Sequence, residues 1–156
     1  MSGSGFGAPT IRAASASDAG RLAELSGELG YPVSGDTIAR RLERLLARDD
    51  NVVLVAELVP EGQVVGWIHG AEQDLLESDR RCEILGLVVD EACRGQGIGR
   101  RLVAAVEGWA ASRGLEQIAV RSNVARTGSH PFYERLGYVR TKTQHAYRKP
   151  NRRAPT

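Results

Sequence analysis

The segment from Cys82 to Arg113 constrains the fold of this chain more than any other. It begins with an apolar, β-branched run that is typical of a strand buried on both faces. It ends with apolar residues at helical spacing, from Ile98 to Ala110. Between them, residues 94–99 read RGQGIG, so that three of five consecutive residues are glycine. The sequence therefore predicts a strand, a glycine-rich turn and a helix in direct succession.

The glycines of this turn predict an anion site. Backbone N–H groups at the start of a helix have no intrahelical partner, and the helix dipole adds partial positive charge there. Because glycine has no Cβ, a phosphate can approach those N–H groups closely. The dinucleotide fingerprint would need a third glycine where this chain has Arg100, and a P-loop would need a Lys-Ser or Lys-Thr pair after the glycines. A turn that merely connects strand and helix is the alternative at this point.

Composition and length predict one ordinary globular domain. The chain has 156 residues, 42% of them hydrophobic and 26% charged, with a net charge of +2. We predict a single domain over residues 10–149, between a flexible N-terminal segment (1–9) and a C-terminal tail (150–156). The small net charge favours no nucleic acid partner. No apolar run reaches the about 20 residues of a membrane span, so no membrane association is expected.

Cysteine usage predicts a reducing, cytoplasmic setting. Cys82 and Cys93 are the only cysteines, too few for a disulfide framework, and no metal-ligand spacing surrounds them. We therefore expect no metal site. The basic residues of the last stretch are best explained as a solvated strand and a frayed tail, because no aromatic residues interleave with them in a nucleic-acid-binding module.

Hydrophobic periodicity and turn residues predict the element order β-α-α-β-β-β-α-β-α-β. Besides the central strand, the predicted strands cover residues 10–14, 52–59, 63–71, 117–121 and 138–148. Gly66 inside the third strand indicates a bulge or a close backbone approach. Hairpins combined with one strand–helix–strand unit favour a mixed sheet with helices on both faces, in the α+β or α/β class.

Two motifs resemble those of a known superfamily. RGQGIG at 94–99 resembles the R/Q-x-x-G-x-G/A pyrophosphate loop of the GCN5-related N-acetyltransferases (GNAT), which bind acetyl-coenzyme A. FYERLGY at 132–138 resembles their C-terminal F-Y-x-x-x-G-F/Y signature. The element order matches from Thr10 to Lys149, and the chain looks most like the small-molecule branch, such as aminoalkylphosphonate and aminoglycoside acetyltransferases. The resemblance implies the GNAT fold, with a central mixed β-sheet of six to seven strands.

The same resemblance implies transfer of an acetyl group from acetyl-coenzyme A to a primary amine of a small molecule, by direct attack through a tetrahedral intermediate. The amine must lose a proton, since an alkylamine has a pKa of about 10.4, and the leaving thiolate needs a proton donor. Tyr133 corresponds to the family's donor to the coenzyme sulfur, with mere packing as its alternative. Glu83 corresponds to a strand carboxylate that acts as general base. His69, Glu72 and water are the alternative bases.

Coenzyme contacts in the family come from the end of the central strand and from the glycine-rich turn. On this chain they fall on Leu87, Val88, Val89, Arg94, Gly95, Gln96, Gly97, Ile98, Gly99 and Arg100. The backbone amide that polarises the thioester carbonyl lies at a bulge of the central strand, which maps onto Val88 or Val89. Asn123 corresponds to a residue that bonds the pantetheine or the acceptor, and a plain turn residue is an equal alternative.

Two other functions are compatible with these motifs. One is a protein or peptide acetyltransferase acting on lysine or an N-terminal amine. The other is a non-catalytic acetyl-coenzyme A-binding module with a regulatory role. Edge strands in this fold commonly pair across a homodimer, and the sequence leaves monomer and homodimer open. The identity of the amine acceptor is left open as well.

Overall fold

The computed structural model describes residues 8–28, 30–121, 129–153 and 155, without the side chains of Ser129 and His130. The chain forms two compact units, Met1–Arg121 and Ser122–Thr156. The single domain over 10–149 stays a prediction. The predicted flexible segment lies almost wholly outside the described residues. Within the described ranges, no helix is both long and apolar enough to cross a membrane.

The first unit contains all described strands and three of the four α-helices found among the described residues. Its strands are β1 (Thr10–Ala13), β2 (Asn51–Glu57), β3 (Val64–Gln73), β4 (Arg81–Val89) and β5 (Ile118–Val120). Its helices are α1 (Ala19–Glu28), α2 (Gly35–Leu46) and α3 (Ile98–Ser112), with short 3-10 turns at Ala16–Asp18 and Glu91–Cys93. The second unit contains α4 (Ser129–Arg135). The predicted element order is confirmed as far as α4.

The strands form one mixed sheet in the order β1-β2-β3-β4-β5. The first three neighbouring pairs are antiparallel, and β4 pairs with β5 in parallel. Parallel neighbours need a long crossover, which α3 supplies between β4 and β5. The mixed α+β class is thus confirmed.

The predicted count of six to seven strands is not confirmed. The described part of the chain contains five strands, and residues 138–150 contain none. A strand needs a neighbour for its backbone hydrogen bonds and a face to bury. Nearly all residues of this stretch are exposed, including Val139 and Tyr147. The apolar alternation that predicted this strand is therefore not matched by a buried face.

The helices cover both faces of the sheet. Under α1 and α2 lies a core that includes Leu22, Leu25, Leu42, Val53, Val55 and Val88. On the other face α3 approaches β3 closely: a Cβ on Gly66 would lie 3.0 Å from the carbonyl oxygen of Val88 and 3.1 Å from Leu102. A Cβ on Gly70 would lie 2.9 Å from Val106. The close approach predicted at Gly66 is confirmed.

A bulge in β4 decides which of its side chains share a face. Leu85 is an extra residue between Ile84 and Gly86 in the pairing of β3 with β4. In a regular strand, side chains five positions apart lie on opposite faces. Because of the extra residue, Glu83 lies on the same face as Val88, towards α1 and α2.

Candidate functional site

The glycine turn (residues 94–99) follows the carboxyl end of β4 and leads directly into α3. Gly95 and Gly97 have φ angles of +81° and +80°, a conformation that glycine adopts without strain. Gly97 is the N-cap of α3 and has no side chain to cap the first N–H groups of the helix. A Cβ on either glycine would meet no atom within 4 Å. The turn thus needs glycine for its backbone conformation and has open space in front of it.

Backbone N–H groups from Gly95 to Arg100 have no acceptor among the described residues. Arg94, Gln96 and Arg100 are exposed around them, whereas Ile98 is buried and anchors the turn to the core. A row of free N–H groups at a helix N-terminus, with positive side chains beside it, is suited to an anion such as a phosphate. The predicted succession of strand, turn and helix is confirmed by β4, the glycine turn and α3.

Asp90, shortly before the glycine turn, links this part of the chain to α1 through hydrogen bonds. Its carboxylate accepts a hydrogen bond from the Ala92 N–H at 3.0 Å and from the guanidinium of Arg21 at 2.6 Å. Arg21 also donates to the carbonyl of Val64, at 2.8 Å. Arg21 is 69 positions from Asp90 in sequence. No local pattern could indicate this ion pair.

The carboxyl half of β4 has a neighbour on one side only. β5 pairs with residues 82–84, and in the described part of the chain no strand continues alongside Leu85 to Val89. Leu87, Val88 and Val89 all lie in this stretch. Unpaired backbone groups at a strand edge can accept an extended ligand as an additional strand.

The bulge predicted at Val88 or Val89 lies at Leu85 instead. Val88 and Val89 pair regularly with β3. The extra residue comes directly after Ile84, the last residue of β4 that pairs with β5. At that point a bulge disturbs one ladder of hydrogen bonds instead of two, which explains its position.

Trp67, His69 and Glu83 lie together on the face towards α1 and α2, and we name this group the bulge face. Trp67 packs against the core cluster of that face. Its ring covers Gly86 so closely that a Cβ there would lie 2.8 Å from Cη2 and Cζ3. The indole Nε1 of Trp67 is buried and has no hydrogen-bond partner among the described residues.

Glu83 is a buried carboxylate with a charged partner. Glu83 is 5% exposed. Its Oε1 lies 3.1 Å from Nε of Arg121, whose side chain is 77% exposed. A buried carboxylate is costly unless it is paired. Arg121, directly after β5, supplies that pair and was not indicated by the sequence. The role of Glu83 as general base stays a prediction.

Glu72 lies on the opposite face, towards α3. It accepts hydrogen bonds from Arg113 at 2.9 and 3.1 Å and from Arg80 at 2.9 Å. The Arg113 and Arg80 guanidinium groups hold the pKa of Glu72 below its usual range. Glu72 therefore ties the end of α3 to β3 and does not share a site with Glu83. Of the two alternative side-chain bases, only His69 lies on the bulge face.

Tyr133 belongs to the second unit, on α4. Its ring packs edge-to-face against Phe132 and Tyr138, with centroids 5.0 and 5.9 Å apart. Gly137, with φ of +94°, ends the helix, and the Tyr138 N–H donates to the Tyr133 carbonyl at 3.1 Å. Asn123 lies outside the described residues. The functional assignments of both residues stay predictions.

The sequence matches the Acetyltransferase (GNAT) family over residues 21–138, a span that includes the glycine turn, Glu83 and Tyr133. The chain is a member of the GNAT family. It is accordingly an acyltransferase, with the GNAT fold built on a mixed sheet that has five strands in the described part of the chain.

Named relatives of this GNAT chain are N-acetyltransferases. An aminoglycoside N(6')-acetyltransferase type 1 of Stenotrophomonas maltophilia is 28% identical over 152 residues, covering 92% of this chain and 94% of the relative. An aminoalkylphosphonate N-acetyltransferase of Salmonella typhimurium is 36% identical over 115 residues, covering 73% and 71%. The crystal structure of an aminoglycoside N-acetyltransferase in complex with coenzyme A superimposes with a TM-score of 0.81 at 21% identity, covering 96% of this chain and 99% of that one. At this identity the superposition supports the fold alone.

Proposed function

We propose that this protein transfers the acetyl group of acetyl-coenzyme A to a primary amine of a small molecule. The observation that carries the proposal is the row of N–H groups from Gly95 to Arg100 that have no acceptor among the described residues, next to the edge of β4 that no described strand borders. Coenzyme A presents a diphosphate and an amide-containing arm, and these match an anion site beside an unpaired strand edge. GNAT acetyltransferases use acetyl-coenzyme A, and the relatives named above are enzymes of small amines.

Each part of the coenzyme has an assigned position in this proposal. The diphosphate binds the glycine turn and Arg100, with Arg94 and Arg100 adding positive charge. The pantetheine arm lies along Leu87 and Val89. A backbone N–H near Val88 or Val89 polarises the thioester carbonyl and stabilises the oxyanion. This placement is supported by the position of Val88 and Val89 at the end of β4, in the stretch that no described strand borders on its second side.

The chemistry joins an amine to a thioester. The acceptor nitrogen attacks the acetyl carbon and forms a C–N bond, and the tetrahedral intermediate then breaks its C–S bond. We assign Glu83 to take a proton from the attacking nitrogen and Tyr133 to give one to the departing sulfur. Asn123 is assigned to the pantetheine or the acceptor. A cytoplasmic location is a further prediction from the sequence, which leaves monomer and homodimer open.

An amine panel with acetyl-coenzyme A tests the proposal. Free thiol release would be followed with aminoalkylphosphonates, aminoglycosides, polyamines, amino acids and a lysine peptide. We expect turnover on one class of small amine, and the same reaction without protein serves as the control for non-enzymatic acetylation. Turnover on the peptide alone would replace the small-molecule acceptor by a protein. Coenzyme binding in calorimetry without turnover on any amine would favour the regulatory module.

A further inference from the structure

His69 occupies a position on the bulge face where one ring nitrogen is fixed. It pairs with Val53 of β2, a member of the core cluster under α1 and α2, and with Gly86 of β4. Glu83 pairs with Ala71, two residues further along β3 on the same face. His69 and Glu83 are thus diagonal neighbours, which places their Cα atoms about 7–8 Å apart.

Hydrogen bonds that begin at the surface determine the tautomer of His69. Arg48 donates to both carboxylate oxygens of Asp50, at 3.1 and 3.0 Å, and Asp50 accepts from Nδ2 of Asn51 at 2.7 Å. The amide oxygen of Asn51 therefore faces Nε2 of His69, at 2.8 Å. Because an amide oxygen can only accept, Nε2 carries the hydrogen and Nδ1 keeps its lone pair.

Nδ1 of His69 is able to accept a proton. It makes no hydrogen bond to a described residue, and His69 as a whole is partly exposed. Burial of the ring lowers the pKa of His69 below its ordinary value of 6.5, so the imidazole is neutral at pH 7.

Few charged groups surround this imidazole. β4 contributes Glu83, which Arg121 neutralises in part, and the segment before β2 contributes Asp50, which acts through Asn51. The helices packed on this face contribute apolar residues, namely Leu22 and Leu25 of α1 and Ile38 and Leu42 of α2. Glu83 and Asp50 are therefore the groups expected to modulate the titration of His69.

We infer that Nδ1 of His69 accepts the proton that an ammonium acceptor must lose before it attacks, and that Asn51 is the positioning residue that keeps Nδ1 unprotonated. The inference rests on the proposed function. An ammonium group loses two protons on its way to an amide. Glu83 is assigned to one of them, and its engagement with Arg121 leaves a second acceptor to be found on this face.

The proton balance is complete with these groups. The ammonium first gives a proton to Nδ1, which forms imidazolium, and the neutral amine then attacks the acetyl carbon. Glu83 takes the second proton as the C–N bond forms, and Tyr133 gives a proton to the sulfur as the C–S bond breaks. Of the two protons held by His69 and Glu83, one restores Tyr133 and the other leaves to water. Products are the amide, free coenzyme A thiol and one proton.

His69→Gln is the decisive variant, because glutamine can still donate to Asn51 but has no basic nitrogen. We expect kcat to fall by about 100-fold, the range of general base catalysis, with unchanged coenzyme affinity in calorimetry. The acid limb of the kcat/KM pH profile, with its midpoint below 6.5 in the parent protein, should disappear. His145→Gln, at an exposed histidine, is the matched control and should change neither. A parent-like rate and acid limb in His69→Gln would overturn the inference.

Asn51→Asp provides a second test that a purely structural role would not pass. A carboxylate beside Nε2 favours imidazolium, so the acid limb should move to higher pH by about one unit or more. If His69→Gln fails to fold, an unshifted acid limb in Asn51→Asp overturns the inference. Absence of turnover by the parent protein on every amine would instead reject the proposed function and the inference with it. An active parent with an unaffected His69→Gln rejects the inference alone.

Discussion

The glycine turn and the bulge face present different chemical groups, backbone N–H groups in one and side chains in the other. The turn offers backbone N–H groups, is largely exposed, and consists of one continuous stretch of chain. The bulge face offers side chains, is partly buried, and gathers Trp67, His69 and Glu83 from two strands. Its supporting partners, Asn51 and Arg121, come from a third and a fourth segment.

This difference in construction matches a difference in chemistry. Free N–H groups recognise a diphosphate that every acetyl-coenzyme A molecule carries, so the turn needs no particular side chain. Proton transfer requires a group with a suitable pKa at a defined position, so the bulge face depends on individual residues and on their neighbours. Substitutions should therefore act on coenzyme affinity at the turn and on kcat at the bulge face.

The largest expected effect follows from Glu83→Gln, which removes a base from the bulge face but keeps its shape. We expect kcat to fall by about 100-fold or more, with coenzyme affinity unchanged. Steady-state kinetics on the amine found in the panel, together with calorimetry of coenzyme binding, measure both quantities. Glu72→Gln is the matched control, because it removes a strand carboxylate with arginine partners from the opposite face. Equal losses in the two variants would contradict the assignment of Glu83.

The second-largest effect is a loss of coenzyme affinity in the variant Gly97→Ala. The added methyl group occupies the open space in front of the turn and displaces a phosphate from N–H groups whose charged hydrogen bonds contribute about 1.5–3 kcal/mol each. We expect the dissociation constant of acetyl-coenzyme A to rise by about 10- to 100-fold in calorimetry. Gly114→Ala carries the same strain, at φ of +74° beyond the other end of α3, and should bind normally. Normal binding by Gly97→Ala would remove the glycine turn from the coenzyme site.

The smallest effect concerns packing beneath the bulge face. A methyl group in Gly86→Ala would lie 2.8 Å from the ring of Trp67, and such overpacking lowers the free energy of unfolding by about 1–3 kcal/mol. Denaturant unfolding measures the change. Gly108→Ala, in α3 with open space around it, should be neutral or stabilising by up to about 1 kcal/mol. If both variants unfold alike, Trp67 is not fixed against Gly86.

Local sequence determines the turn, and so the turn could be predicted. Glycine at 95 and 97 is required by positive φ angles of those same residues, and Ile98 begins the helical periodicity that α3 follows. Glu83 was recognisable for a similar reason, since a carboxylate within an apolar strand stands out against its neighbours. The order of strands and helices up to α4 likewise follows from periodicity within each element.

The remaining features of the site depend on pairing between segments that are distant in sequence, and no local sequence pattern indicates that pairing. The bulge at Leu85 depends on where β5 ends, and the tautomer of His69 depends on Asn51, eighteen positions away. The sequence over 138–148 has the alternation of a strand, but its residues are nearly all exposed and pair with no described strand. The sequence indicated which residues could act in catalysis, and the sheet register showed which of them share a face of the sheet.

The bulge at Leu85 lets β4 hold one residue more than the opposing stretch of β3 without a change in which face its other side chains occupy. Ile84 pairs with Gly70 and Gly86 pairs with His69, so the side chains on either side of Leu85 alternate as though that residue were absent. If β4 ran straight through Leu85 instead, every later side chain would turn over, with Val88 towards α3 and Val89 towards α1 and α2. The local conformation of a residue that is not a predicted contact therefore sets which side chains of β4 face each helix layer on the approach to the glycine turn.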